Sequence, residues 1–373
     1  MKIAIVHDLL VKLWWAEKVV EKLLNMYPDA DIFTLIYDEK KVSSIFPKDK
    51  IKYIPKITQF IYNITKNQRF CLPFMARWVE SIDLSKYDIV IASNSAFIHW
   101  CITKPETKFI VYYHTPCRYM WDRTNEYKKE IWWNKSFKLI ILNYLLKSLR
   151  QWDFLASQRH DITLANSNNV SKRLKKYYKI NSKVIYPNVD IKNINKKINE
   201  KYETYFENYY IIISALTEFK RLDIAIKAFN NMQNKKLLIV WWWNYREKLE
   251  KIVKYDNIKF LWKLERNNLI YLLQNSKWLI FCWEEDFWIV PIEANWVWIP
   301  VFAYRWWWLV ETMTEWITAE FFDDKNWLDF IEKFNIFDKN INNWKYNKDL
   351  IIINSQKYSE EIFEEQFRKI VWF

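Results

Sequence analysis

Short runs rich in β-branched residues alternate with amphipathic stretches along all 373 residues, which predicts an α/β protein whose parallel sheets are wrapped by helices. The length is about twice that of an ordinary domain, so two domains are expected. A polar, Lys/Asn-rich stretch at 191–208 breaks the alternation, and a fresh strand pattern opens at 209–214. These observations predict two consecutive α/β domains with a cleft between them, at 1–190 and 209–355, joined by the 191–208 linker. The segment 356–373 reads as a C-terminal helix packing back towards the N-terminal domain. A cleft between such domains is where ligands are expected.

The first strand is expected at 2–6, an apolar run that Asp8 ends at once. Further strands follow at 31–35, 51–54, 88–92, 108–113, 161–165 and 183–186. Helical spacing of apolar residues fits 16–26, 138–151 and 169–178. In the second half, strands fit 209–214, 236–240, 258–261, 278–282 and 300–304, with helices at 222–232, 245–255, 267–275 and 291–295. Pro291 suits the first turn of the last of these helices. The closing pattern at 358–371 is acidic early and basic late, which matches the helix dipole.

Hydrophobic residues make up 51% of the chain and charged residues 27%, enough to fill two cores and normal for a soluble protein. Cys71, Cys101, Cys117 and Cys282 form no CxxC pair, which excludes a disulfide scaffold or cysteine-rich zinc site and suits a reducing cytosol. No His/Asp constellation has metal-ligand spacing, so no metal is expected. No apolar run reaches the ~20 residues of a membrane span, and the opening MKIAIVHD reads as a buried strand, not a signal peptide. The net charge of +13 raises nucleic acid or an anionic membrane surface as partners. The basic residues are spread out, without an RNA-binding or helix-turn-helix signature, so no nucleic acid is expected. The amphipathic stretches at 137–152 and 53–74 fit either a membrane surface or helices buried in the first domain.

One number departs from any ordinary composition. Glycine is absent where about 7% is typical, while tryptophan stands at 24. Helix ends and tight turns need residues that tolerate positive φ, and glycine does so at least cost. The economical reading is that most Trp letters mark glycine positions, as when a UGA codon read as glycine in the source is translated as Trp. Trp241–Trp243, read as glycines, would form a tight turn after the strand at 236–240. Trp14 and Trp15, read so, would form a loop able to cradle phosphate or sugar.

Several residues carry candidate chemistry. Glu285 and Glu293 are spaced E-x7-E, one on a loop after the strand at 278–282 and one in the first turn of a helix. That helix start suits a diphosphate, and the carboxylates suit sugar hydroxyls. A capping glutamate beside a solvated one explains the same spacing. Lys220 and Arg221 follow another strand end, where two cations neutralise a diphosphate or simply form a solvated basic pair. His114 follows the strand at 108–113, placed to hydrogen-bond, to accept protons or to serve structure alone.

Taken together, the segments resemble retaining glycosyltransferases of family 4, which have the two-Rossmann GT-B fold, and the WbaZ-type mannosyltransferase subgroup is the nearest match. The likeness runs from residue 1 to about residue 325. The opening I-V-H-D-x5-W-W-A-E-K resembles that family's H-D…G-G-A-E. Y-H-T-P-C-R-Y-M-W-D resembles its Y-x-H-T-P-x-R-Y-x-W-D, with Trp121, and also Trp152, read as genuine. The region 161–173 and V-I-Y-P-N-V-D match A-N-S-x-x-V-x-x-R and V-I-Y-P-P-V-D. L-I-V-W-W-W-N, F-L-W-K-L and E-E-D-F-W-I-V-P-I-E-A-N-W-V-W-I-P-V resemble L-I-V-G-x-G, F-L-G and E-E-D-F-G-I-V-P-x-E-A-x-x-x-G-x-P-V. Family glycines thus fall on Trp14, Trp15, Trp241, Trp243, Trp262, Trp288, Trp298, Trp307 and Trp308.

The resemblance implies roles. Glu293 would bind the nucleotide ribose, and Glu285 the donor sugar near the reacting carbon. Lys220 would hold the diphosphate with Arg221 beside it, and Phe287, Trp288 and Ile289 would be further nucleotide-sugar contacts. His114 would meet the donor sugar near the acceptor, and Trp14, Trp15 and Glu17 would form the acceptor or phosphate loop. Many family members have arginine where this chain has Ala215, so the charge clamp rests on Lys220. The implied activity is metal- and cofactor-free transfer of a hexose, mannose from GDP-mannose first, to a saccharide or lipid-linked saccharide for cell-surface polysaccharide. It would take place in the cytoplasm, with peripheral membrane association. The rivals are a nucleotide-sugar epimerase of the same fold and a basic nucleic-acid-binding protein.

Overall fold

The apolar runs form two parallel sheets, one in each of two units: Met1–Pro187 with Phe363–Phe373, and Asn188–Ile362. The computed structural model describes all residues except 68–70, 72–74, 127–135, 190–205, 243–245, 263, 284–288, 343–345 and 373. In the first unit the strands are β1 (Ile3–His7), β2 (Asp31–Thr34), β3 (Ile51–Tyr53), β4 (Ile89–Asn94), β5 (Lys108–Tyr113), β6 (Ile162–Ala165) and β7 (Lys183–Val184). Their order across the sheet is β3-β2-β1-β4-β5-β6-β7. Both faces of this sheet are covered, which explains the near-continuous apolar strands. Val6, Val90, Ala92 and Val111 enter one buried cluster, while their neighbours Ile5, Ile89, Ile91 and Ile110 enter the other. Helix Glu360–Trp372 supplies Phe363, Phe367 and Val371 to the second cluster. Lys108 Nζ donates to the Ile370 carbonyl at 2.9 Å near the end of that helix, the placement of a cation that helix carbonyls favour.

The second unit holds β8 (Tyr209–Ala215), β9 (Lys236–Trp242), β10 (Ile258–Trp262), β11 (Leu279–Phe281), β12 (Val301–Tyr304) and β13 (Ala319–Phe322). The order is β10-β9-β8-β11-β12-β13. An aromatic core covers it: Trp278 stacks on Phe334 with centroids 4.8 Å apart, and Phe302 meets Phe330 edge-on at 5.0 Å. Phe330 and Phe334 come from helix Trp327–Asn342, which strand-oriented reading of the sequence passes over. β13 is also beyond that reading. It is four residues long and contains Glu320, so its strand character comes from pairing with β12, Val301 opposite Ala319 through Tyr304 opposite Phe322.

Three boundaries differ from expectation. β9 does not turn after Val240, because Trp241 and Trp242 pair with Ser214 and Ala215 and extend the strand; Trp243 lies outside the described residues. The helix read at 138–151 runs from Ser136 to Ala156. Asn188 and Val189 group with the second unit, where the Val189 N–H donates to the Tyr358 carbonyl at 2.9 Å. Most of the Lys/Asn-rich stretch at 191–208 lies outside the described residues. The amphipathic stretch at 53–74 yields helix Lys56–Thr65, which buries Thr58 and Tyr62.

Among the described residues, left-handed backbone occurs at two tryptophans, Trp298 (φ 58°) and Trp316 (φ 67°). Trp298 follows helix Val290–Trp296 in a Schellman turn, with the Ile299 N–H bonded to the Ala294 carbonyl at 2.8 Å and the Trp298 N–H to the Asn295 carbonyl at 3.0 Å. That residue is normally glycine, because a Cβ there costs roughly 1–2 kcal/mol. At Trp14 the backbone is extended instead (φ −109°), so the case for glycine there rests on space and not on strain. We expect Trp298→Gly to raise the unfolding free energy by about 1 kcal/mol over Trp298→Ala, measured by denaturant melts. Equal stability of the two variants would remove the strain argument.

Candidate functional site

The order of strands reverses beside β1 in the first unit and beside β8 in the second, and in open α/β sheets ligands bind off the carboxyl ends of strands at such points. His7 is the last residue of β1, Ser93 and Asn94 end β4, and His114 follows β5. Asp8 is buried just beyond His7, and its carboxylate accepts N–H bonds from Ser95, Ala96, Phe97 and Ile98 at 2.6, 3.0, 2.7 and 2.9 Å. The loop after β4 is thereby wrapped around one charge. His114 is held through its backbone: its N–H donates to the Asn94 carbonyl at 2.8 Å, and its own carbonyl accepts from Asn166 Nδ2 at 2.9 Å.

The side chains form a chain of contacts. Ser93 Oγ lies 2.8 Å from His114 Nε2, and His7 Nδ1 lies 2.9 Å from the Ser93 carbonyl and 3.1 Å from its hydroxyl. On the other side of the ring, His7 Nε2 is 4.0 Å from Glu17 Oε1. Glu17 is buried in the first turn of helix Trp15–Met26, where its Oε2 accepts the Trp14 N–H at 3.0 Å. Burial works against charge on His7, but Glu17, and then Asp8, outweigh it and hold the imidazole above its ordinary value. Burial, together with the neighbouring His7, pushes His114 down to about 3.

In the second unit, Lys220 ends a short 3₁₀ turn after β8 and is 2% exposed, with its ammonium 4.5 Å from the centre of the Trp283 ring. Arg221 is left-handed (φ 49°) and its guanidinium is engaged by Asp223 at 3.0 Å. Of the two cations read from the sequence, Lys220 is buried, and Arg221 is more exposed and bonded to Asp223. Glu293, also buried, sits in helix Val290–Trp296 and accepts Arg266 Nη2 at 2.8 Å. Ile289 is the buried residue before that helix. Glu285, Phe287 and Trp288 lie outside the described residues.

Thus the structure brings His114 and Glu17 into one network, and sets Lys220, Glu293 and Ile289 in the second unit. Trp14 caps helix Trp15–Met26 with an exposed ring, over which Lys12 Nζ sits 3.1 Å from the centroid. The reading of motifs left His7, Asp8, Ser93 and Arg266 without roles. The first three share one signal, polar residues directly after an apolar strand; Arg266 has none in the sequence. Among the described residues no group of three His, Cys, Asp or Glu side chains stands at metal-binding distance, and no helix is long and apolar enough to cross a membrane.

Two family models match the chain: "Glycosyltransferase Family 4" over residues 16–193 and "Glycosyl transferases group 1" over residues 190–354. No curated protein matches it in sequence. The fold is shared with solved structures of low identity. The Anabaena protein HepE, solved with UDP and glucose, is 14% identical with a TM-score of 0.64 over 100% of this chain and 99% of its own. A sucrose-phosphate synthase from Thermosynechococcus elongatus is 12% identical with a TM-score of 0.66, over 100% and 98%. A putative UDP-N-acetylglucosamine 2-epimerase from Listeria monocytogenes is 12% identical with a TM-score of 0.54, over 100% and 96%. Both sheets and these neighbours show the two-domain Rossmann-like GT-B fold.

The depressed His114 has a consequence for stability. Below about pH 6.5 the unfolded histidine binds a proton that the folded one refuses until about pH 3, so stability falls as pH falls through that window. We expect His114→Gln to flatten the pH dependence of the unfolding free energy between pH 6 and 4 by up to about 1.4 kcal/mol per pH unit, one proton's worth. An unchanged slope would show that His114 is not held neutral.

Proposed function

The chain is a glycosyltransferase of the family 4 type, and on that premise we propose that it transfers a hexose, with retention, from a nucleotide sugar to a saccharide or lipid-linked saccharide acceptor. The observation that carries this reading is the buried Lys220 at the reversal point of the second sheet, in the segment matched by the group 1 glycosyltransferase model. A buried ammonium suits a diphosphate, which neutralises it and accepts its hydrogen bonds. Structural neighbours crystallised with UDP and with UDP-glucose support a nucleotide sugar as donor. Mannose from GDP-mannose is the first donor to test, following the WbaZ-type likeness.

In this proposal Lys220 holds the diphosphate, Glu293 the ribose and Glu285 the sugar near the reacting carbon. Arg221, Phe287, Trp288 and Ile289 complete the donor contacts, and His114 meets the sugar near the acceptor. Attack comes from the face that the leaving group vacates: the bond from the acceptor oxygen to the anomeric carbon forms as the bond to phosphate breaks. The acceptor's proton passes to the departing phosphate oxygen. Stabilising the charge on that phosphate is the largest contribution asked of the protein, and Lys220 supplies it without a metal. Trp14, Trp15, Trp241, Trp243, Trp262, Trp288, Trp298, Trp307 and Trp308 are read as glycine positions, which leaves the loop at 14–15 open to phosphate or acceptor. The setting we assign is the cytoplasm, with peripheral contact to the inner membrane face, in polysaccharide synthesis.

A thermal-shift screen of GDP-, UDP- and ADP-sugars identifies the donor, and acceptor-dependent release of nucleoside diphosphate separates transfer from the epimerase reading, which needs no acceptor. Glu285→Gln is expected to abolish transfer while leaving nucleoside diphosphate binding intact, and Lys220→Ala to weaken that binding by roughly 1.5–3 kcal/mol, measured by calorimetry. Full turnover by Glu285→Gln would show the donor site to be misassigned. Transfer should also persist in EDTA; strict dependence on added Mg²⁺ or Mn²⁺ would point to a metal held by residues not named above.

A further inference from the structure

The contacts of Ser93 settle where the protons of the first unit's histidine pair must be. The Ser93 carbonyl, 2.9 Å from His7 Nδ1, can only accept, so that nitrogen carries a hydrogen. His7 Nε2 faces the Glu17 carboxylate at 4.0 Å, an arrangement that favours a second ring proton there. With His7 Nδ1–H also reaching the Ser93 hydroxyl at 3.1 Å, that hydroxyl accepts from His7 and has its own hydrogen to give. The acceptor it meets is His114 Nε2, at 2.8 Å. His114 is then neutral with its proton on Nδ1. The opposite polarity at His114 would make the Ser93 hydroxyl accept from both rings and leave its own hydrogen, which is buried, without an acceptor.

We infer that His7 and Ser93 are positioning residues that fix His114 as the neutral Nδ1–H tautomer, so that it offers the donor sugar a hydrogen-bond donor and not a base. This rests on the functional reading above for the identity of the ligand, though not for the tautomer. The groups that face His7 are Glu17 from the helix, Asp8 from its own strand end and His114 and Ser93 from the neighbouring strands; Lys12 in turn faces Glu17. Burial of His7, Ser93 and Glu17, each at most 5% exposed, keeps water from offering a competing partner. Glu17 also holds the Trp14 N–H, so the same carboxylate joins the start of helix Trp15–Met26 to this chain of contacts.

The chain contains only four histidines, which makes the test tractable: the full-length protein with ¹⁵N-labelled histidine, observed by two-bond ¹⁵N–¹H correlation at pH 7. We expect His114 with Nδ1 protonated and Nε2 bare, and His7 protonated at both nitrogens. Ser93→Ala should let the Nε2–H tautomer of His114 appear and lower kcat roughly tenfold, the scale of one lost hydrogen bond, with little change in donor KM. Ser93→Thr, which keeps the hydroxyl, should restore both. A wild-type His114 protonated on Nε2, a neutral His7, or a Ser93→Ala protein with unchanged tautomer and kcat would each overturn the inference. The wild-type spectrum decides even if a variant fails to fold. The expected spectrum in a protein that transfers from no nucleotide sugar would sink the functional reading while leaving the tautomer assignment standing.

Discussion

The carboxylate of Asp8 is the constraint on which the first unit's functional end depends. A buried charge is costly unless fully bonded, and four backbone N–H groups from one turn, at 2.6–3.0 Å, meet that requirement. The four donors come from residues 95–98, so the carboxylate shapes the turn that leaves β4 and holds it against the end of β1. With those two strand ends locked, His7 and Ser93 face each other in register, and Ser93 meets His114 from the next strand. Without Asp8 that turn would leave the buried N–H groups of Phe97 and Ile98 unpaired, each a penalty of about 1–3 kcal/mol.

The second unit solves a different electrostatic problem. Its charges are arranged in pairs of unequal burial: Lys220 is buried beside the Trp283 ring, whereas Arg221 is tied to Asp223. Glu293 is buried with Arg266 as its partner, and the partly exposed guanidinium leaves one side of the pair open to water. A carboxylate already bonded to arginine presents an acceptor held in one place. The two units thus use the carboxyl ends of parallel strands alike, the first with two imidazoles joined through a hydroxyl beside the buried Glu17 carboxylate, the second with paired ions.

Glycine's absence meets the fold at identifiable places. Trp298 occupies a left-handed helix end and Trp316 a left-handed turn, the latter at a position that carries no recognisable motif. Elsewhere the backbone needs no left-handed residue: Trp241 and Trp242 continue β9 in register with Ser214 and Ala215. Composition signals that glycine is missing; which positions suffer depends on local φ, a property of the folded chain.

Much of the architecture is legible in the sequence, for a physical reason. Parallel strands buried on both faces need continuous apolar runs, and residues such as Ile3–His7, Lys108–Tyr113 and Tyr209–Ala215 announce themselves. Polar residues beyond those runs mark the carboxyl edge of each sheet, which is how His114 and Lys220 stand out. β13 and helix Trp327–Asn342 escape notice because their identity comes from pairing and packing, not from pattern. The same holds for the site's bonds. His7 meets Ser93 across 86 residues, Asp8 meets Ile98 across 90, and Arg266 meets Glu293 across 27. Strand order, which no local period encodes, brings them together. The sequence by itself determined the strands, the two-unit plan and the residue types at the strand ends. Tertiary structure alone decided which of those residues touch, which charges are already paired, and which partners the ring nitrogens of His7 and His114 meet, because hydrogen-bond partners are set by distance in space and not by spacing along the chain.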